Sequence, residues 1–224
     1  ANLADLWIDN RSAAWTPEQV NSFCAALATA WDSSTVAQSL DSCEGRTVTQ
    51  GAMFHTNDTG EHIINSLWHG IPDGANADRV WMPKGHSEGR TAIAADEIVI
   101  DAHVTEALEL SLGDTVRIGA GNATADFTLV GMGYHPLHVI MAPEGTLFPP
   151  ESGEYVVGYL SDAGMARLTG EVIGVSNIIM LDVEGTPSFD LPDTGEYEGE
   201  EIDAVKQLVD AALAESELDA RVRD

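Results

Sequence analysis

Seven histidines are the side chains of this 224-residue chain best suited to acid–base or metal chemistry. His55, His62 and His69 recur at seven-residue intervals, and His135 and His138 flank Pro136 and Leu137. Histidines become metal ligands when a shared helix face or a carboxylate gathers them. Here the run from His55 to His69 crosses Gly60, so equal spacing does not bring the three rings to one face. No H-E-x-x-H occurs. The expectation is polar or hydrogen-bonded histidines, with no metal and no cofactor. Asp101 and His103 imitate part of a catalytic triad, but the chain has no G-x-S-x-G and Asp101 has a simpler role as a helix cap. Cys24 falls on the apolar face of a predicted helix, where a cysteine packs or pairs more often than it reacts. The glycines of Gly119–Ala125 join two predicted strands and open no helix, so they read as a hairpin turn and not as a phosphate cradle. We expect no catalysis.

The charge narrows the partners. The chain has 37 Asp and Glu against 10 Lys and Arg, a formal charge of −27. A field of that sign repels nucleic acid and anionic headgroups, so neither is expected as a direct partner. Two origins fit: a high-salt habitat in which counterions screen the self-repulsion, or an acidic exposed domain from a GC-rich genome. Apolar residues make up 44% of the chain, which suits a folded core. No apolar run approaches the roughly eighteen residues that cross a bilayer.

The elements that position these groups are clearest between Glu97 and Gly133. Glu97–Ile100 is short, apolar and β-branched, a strand. Asp101 caps a helix expected over Ala102–Leu110, with Val104, Leu108 and Ser111 on one face and Gly113 just past its end. Thr115–Ile118 and Asp126–Met132 are two strands of a hairpin. This order of strand, short helix, Gly-Asp turn and hairpin, in "EIVID", "LSLGDTVRI" and "FTLVGMG", resembles the extracytoplasmic domain of MacB/FtsX/LolE-type permeases, the membrane subunits of a class of ABC transporters. The resemblance runs from "LWIDN" to the last helix and includes no catalytic signature. It implies a non-catalytic domain outside the membrane, a second permease subunit facing it, and a cytoplasmic ATP-binding subunit that moves both. It also implies one membrane helix before Ala1 and several after Asp224, with Leu218–Asp224 as a lead-in. The substrate stays open. A free-standing secreted ligand- or protein-binding domain is the alternative.

An extracytoplasmic setting makes a Cys24–Cys43 disulfide the expectation, since a predicted helix and the start of the next strand bring the two within reach. Two separate buried thiols are the alternative.

The rest of the chain supplies an α+β fold. Leu3–Ile8 is a first strand. Thr16-Pro17-Glu18-Gln19 starts a helix with a capping box, and Val20, Phe23, Cys24, Leu27 and Trp31 mark its buried face. Thr35–Phe54 has strand character with a break at Asp41–Gly45. Short strands are expected at His62–Leu67 and Arg79–Met82, and Tyr134–Pro150 reads as a connection. Glu154–Leu160 is a strand, Ser161 caps a helix that Gly170 ends, and Val175–Val183 is a central strand. Gly185–Gly199 is an acidic loop before an amphipathic helix from Glu200 to about Glu215. As the resemblance implies, residues 1–50 and 151–224 should form a split β-α-β/β-α-β membrane-proximal lobe, and 51–150 an inserted β-rich subdomain. Trp68 and Trp81 fall in loop-rich sequence of that insertion, where they either contact a partner or substrate or pack between the lobes.

Overall fold

The computed structural model describes residues 3–138, 142–143, 146, 148–184 and 200–223, with the backbone alone at 200–202. The elements in chain order are β1 (Leu6–Asn10), α1 (Pro17–Asp32), β2 (Leu40–Asn57), β3 (Gly60–Gly70), β4 (Glu88–Gly89), β5 (Glu97–Asp101), α2 (Ala102–Thr105), β6 (Thr115–Ala120), β7 (Ala123–Gly133), β8 (Tyr155–Leu160), α3 (Asp162–Thr169), β9 (Ile178–Val183), α4 (Glu200–Glu215) and β10 (Ala220–Val222). The fold is α+β. It divides into two compact units, one of Arg46–Val175 and one of Ala4–Gly45 with Ser176–Asp224. The second boundary differs from the expected 150/151: β8 and α3 belong with the middle of the chain. A β-α-β pattern along the chain does not say which sheet a strand joins, and β8 joins β3 and β5.

The unit made of the two chain ends is built on α1. Thr16 Oγ1 accepts from the Gln19 N–H, and Gln19 Oε1 accepts from the Thr16 N–H, so two of the helix's orphan donors are satisfied reciprocally. Val20, Phe23, Leu27 and Trp31 are buried at helical spacing. They pack with Leu6, Ile8, Ile179 and Leu181 of the strands and Val205, Val209 and Leu213 of α4. Cys24 on α1 and Cys43 on β2 are joined by a disulfide, with Cα atoms 5.7 Å apart. β1 pairs antiparallel with both β10 and β9. β9 lies between β1 and β2 in the strand order, the central place its continuous apolar run predicts.

The other unit is a barrel. β2 pairs with β3, β3 with β8, β8 with β5, β5 with β7, β7 with β6, and β6 with β2, so six strands close on themselves and leave no open edge in the ring. Alternation sends Met53, Trp68, Ile98, Ile100, Ile118, Leu129 and Val156 into one apolar cluster, to which Leu108, Met165 and Leu168 add from the segment after α2 and from α3. Trp68 is the largest fully buried side chain, and its Nε1–H donates to the Gly119 carbonyl at 2.9 Å. Gly158 makes room for it: a Cβ there would sit 2.7 Å from the indole.

Several sequence expectations move. β2 has no break at Asp41–Gly45; Gly45 is there because a Cβ would stand 2.3 Å from Ser176 Oγ, a close approach and not a turn. The histidines at 55 and 62 face each other across the β2–β3 hairpin. Arg79–Met82 forms no strand, only an isolated bridge between Trp81 and Tyr134. α2 is less than half its expected length. Glu109, in left-handed conformation (φ 50°), ends that turn, and the Leu110 N–H reaches back to the Thr105 carbonyl at 2.9 Å. Gly113 (φ 92°) instead serves the bend into β6. Residues 220–222 of the expected lead-in are β10, paired with β1. The acidic loop expected at Gly185–Gly199 lies outside the described residues.

Candidate functional site: a buried histidine cluster

The site lies on the outer face of the barrel. On β3 the side chain next to the inward Trp68 must point outward, and that side chain is His69. Register places His69 beside Tyr159 of β8, and Tyr159 beside Val99 of β5. Val99, Tyr155, Val157 and Tyr159 form a second apolar cluster on this face, with Leu67, Ile71, Val80 and Val130 packed around it. The stretch after β7 returns over it and contributes His135 and His138.

Three imidazoles meet there. His69 Nε2 and His138 Nε2 are 2.9 Å apart and share a hydrogen bond. The ring centroids of His69, His135 and His138 stand 4.9 to 5.4 Å from one another, and His135 stacks on Tyr159 at 5.4 Å. His135 Nε2–H donates to the Asp78 carbonyl at 2.8 Å, and its Nδ1 accepts from the Leu137 N–H at 3.3 Å. That pair of bonds fixes a neutral ring with the proton on Nε2. Burial pushes His69 well below the ordinary histidine value, helped by His138, His135 and Arg46. Burial likewise pushes His135 and His138 down to about 4.

A carboxylate closes the cluster at one side. Asp101, wholly buried, caps α2 by accepting from the His103 N–H at 3.0 Å. The same Oδ1 accepts from His103 Nδ1 at 2.7 Å, and Oδ2 accepts from the Tyr159 hydroxyl at 3.2 Å. Burial, then the charge of Asp101, raises Tyr159 well above its ordinary value, so this phenol donates and does not serve as a base. Asp101 and His103 thus meet, as their spacing suggested, but the third member is a tyrosine held as a donor. No three His, Cys, Asp or Glu side chains among the described residues converge as a metal site. Held neutral by burial, the three imidazoles can take up protons.

Other expected residues fall elsewhere. Trp68 is a correction: it is barrel core, fully buried, and cannot contact a partner, because the loop expected around it is strand β3. Trp81 is 55% exposed and sits against Tyr134 at 6.3 Å. A groove of about 660 Å³ opens elsewhere on this unit, between His62 and Ile63 at the hairpin tip, Leu108, Phe148 and Tyr155. The H-x-x-H at 135–138 was visible in the sequence, but its partner His69 was not, because that pairing exists only through the β3–β8 register.

The sequence matches no protein-family model and no curated relative. Among solved structures the chain is similar to the extracellular domain of the noncanonical ABC-type transporter YknZ from Gram-positive bacteria. That likeness has 15% identity, covers 98% of this chain and 99% of the other, and has a TM-score of 0.48. It is also similar to the periplasmic region of MacB from Actinobacillus actinomycetemcomitans, with 11% identity, 98% and 87% coverage and a TM-score of 0.45. Likenesses of this size fix neither a family nor an activity.

Proposed function

We propose that this chain is the non-catalytic extracytoplasmic domain of an ABC transporter permease subunit. The observation that carries the reading is the pairing of the first and last strands. β1 and β10 run antiparallel with Ile8 opposite Val222, so the chain before β1 and the chain after β10 leave the same end of the strand pair. The Arg223 N–H donates to the Trp7 carbonyl at 2.8 Å, its guanidinium grips Asp9 at 2.6 and 3.0 Å, and it lies 5.7 Å over the Trp7 ring. A domain set between two membrane helices needs such an entry and exit side by side. The Cys24–Cys43 disulfide adds support, since such bonds persist in oxidising compartments outside the cytoplasm. The resemblance carried by Glu97–Gly133 supplies the class.

On this reading the domain works against a second permease subunit, and a cytoplasmic ATP-binding subunit drives the pair. Membrane contact runs through helices outside this segment, and nucleic acid has no part. The movement acts on a substrate or partner outside the membrane, with exposed Trp81 as a contact. The groove at Ile63 and Phe148, which are 69% and 83% exposed, favours a second reading, a secreted binding domain whose ligand lies there.

The coding sequence on both sides separates the two. About twenty apolar codons upstream and three such spans downstream are expected for the permease. In intact cells the domain should then be cleaved by added protease while staying membrane-bound. A cleavable signal upstream with no span downstream would overturn the permease reading in favour of the secreted one.

A further inference from the structure

We propose that Tyr134–His138 is an acid-released latch: proton uptake by the histidines within and beneath it lifts this segment from the outer face of the barrel while the barrel stays closed. The device belongs to the barrel and does not rest on the permease reading.

The geometry admits little charge. His135 is held by donating from Nε2 and accepting at Nδ1, so a second proton sets Nδ1–H against the Leu137 N–H and removes that bond. His69 and His138 share one proton between their Nε2 atoms; protonating both nitrogens sets two N–H groups head to head at 2.9 Å. All three rings lie within 5.4 Å of one another, so each added charge also repels the next.

The surroundings compensate only in part, and burial outweighs them. From β2, Arg46 is buried, with Nη2 donating to the Ala77 carbonyl, and its charge opposes proton uptake by His69 and His135. From the stretch before Trp81, Asp78 contributes its carbonyl to His135. From β5, Asp101 favours a proton on His138, but its oxygens already hold His103 and Tyr159. Tyr134 packs its ring on exposed His103 at 4.8 Å. Tyr159 on β8 is a neutral phenol at these pH values, and Asp162 at the start of α3 is itself pushed up by burial. Burial holds the two latch histidines down to about 4.

Among the described residues the latch has few other anchors. Tyr134 exchanges two backbone hydrogen bonds with Trp81, at 2.7 and 2.9 Å, and Leu137 is exposed. The barrel's interior is an apolar cluster. The unit of the chain ends contains no histidine at all, so it supplies an internal control. Release uncovers the Tyr159 ring on which His135 stacks.

Backbone hydrogen exchange on the intact chain between pH 7.5 and 4.5, corrected for intrinsic rates, tests this. Protection of Trp81, Tyr134, Leu137 and His138 is expected to fall steeply with acid, approaching about 100-fold per pH unit if two protons enter together. The β6–β7 hairpin and α1 should keep theirs. H138Q removes one of the rings that take up a proton and should lower that dependence by about 10-fold per unit. Three results would overturn the proposal: unchanged protection at pH 4.5, loss shared with β6–β7 and α1, or an H138Q profile matching the parent chain. If H138Q does not fold, ring titration of the parent chain by NMR decides. His69 and His138 titrating together with the Tyr134 amide supports the latch, and rings titrating near 6.5 without amide change overturns it.

Discussion

At the residue scale, the buried rings set a pH dependence whose sign follows from their depression. His135 titrates near 6.5 in the unfolded chain and near 4 in the folded one. Between those values the unfolded chain binds more protons, so stability is full above about 6.5 and is lost as pH falls toward 4. For His135 alone the loss amounts to about 3 kcal/mol at the acid end of that window. Urea midpoints at pH 7 and pH 5 check it, with a lower midpoint expected at pH 5. The pH 5 measurement also stays above the ordinary value of the Glu97 carboxyl, which Arg90 and the Ile93 and Ala94 N–H groups hold at about 2 in the folded chain. Tyr159→Phe removes one buried hydrogen bond and leaves Asp101 Oδ2 without its donor, a loss of about 1–3 kcal/mol by the same measurement. Gly158→Ala drives a Cβ to 2.7 Å from the Trp68 ring in a packed interior and should lose about 1–3 kcal/mol, with a changed near-ultraviolet signal from that indole. The isolated residue types announced none of these effects. Histidine at 69 looks the same in a list whether its ring is wet or beneath two others.

At the scale of elements, local chemistry was readable where a few adjacent residues settle it. The start of α1 is written in Thr16-Pro17-Glu18-Gln19, and the reciprocal bonds are present. Thr16→Ala should lower stability by about 1 kcal/mol, read as a shift in thermal midpoint. The β6–β7 hairpin, the Ser161 cap and the left-handed Gly170 that ends α3 also follow from their own sequence. α2 did not, because a stripe of Val104 and Leu108 is too short to carry the helix past Glu109. The disulfide closes a loop with a sequence separation of 19 between α1 and β2. Its reduction should lower stability by about 3 kcal/mol. Before reduction, the intact mass should gain no iodoacetamide adducts; two adducts would show that the thiols are free.

At the scale of the molecule, charge and connectivity dominate. A net charge of −27 repels itself in any compact state, so the thermal midpoint should rise between low and molar KCl. A flat response would remove the support for a high-salt habitat. The division into units follows strand partners. β8 sits with β3 and β5, which brings residues 151–175 into the barrel unit and leaves the chain-end unit with β1, β9, β10, α1, α4 and the start of β2. All seven histidines therefore fall in one unit and the disulfide in the other, so acid and reductant should act on different halves of the chain.

By itself the sequence determined the α+β class, the helix starts, the β6–β7 hairpin, the net acidity, and the cysteines available to pair. Each depends on composition or on neighbours within a few residues, where spacing and capping act directly. The tertiary structure alone decided that six strands close into a barrel, that Trp68 is its core, and that His69 meets His135 and His138 on the outside. Those outcomes rest on pairings such as β3 with β8, between residues about ninety positions apart. The register of such a pair is set by how whole faces pack, because a slip of one residue would turn Trp68 outward and His69 into the core.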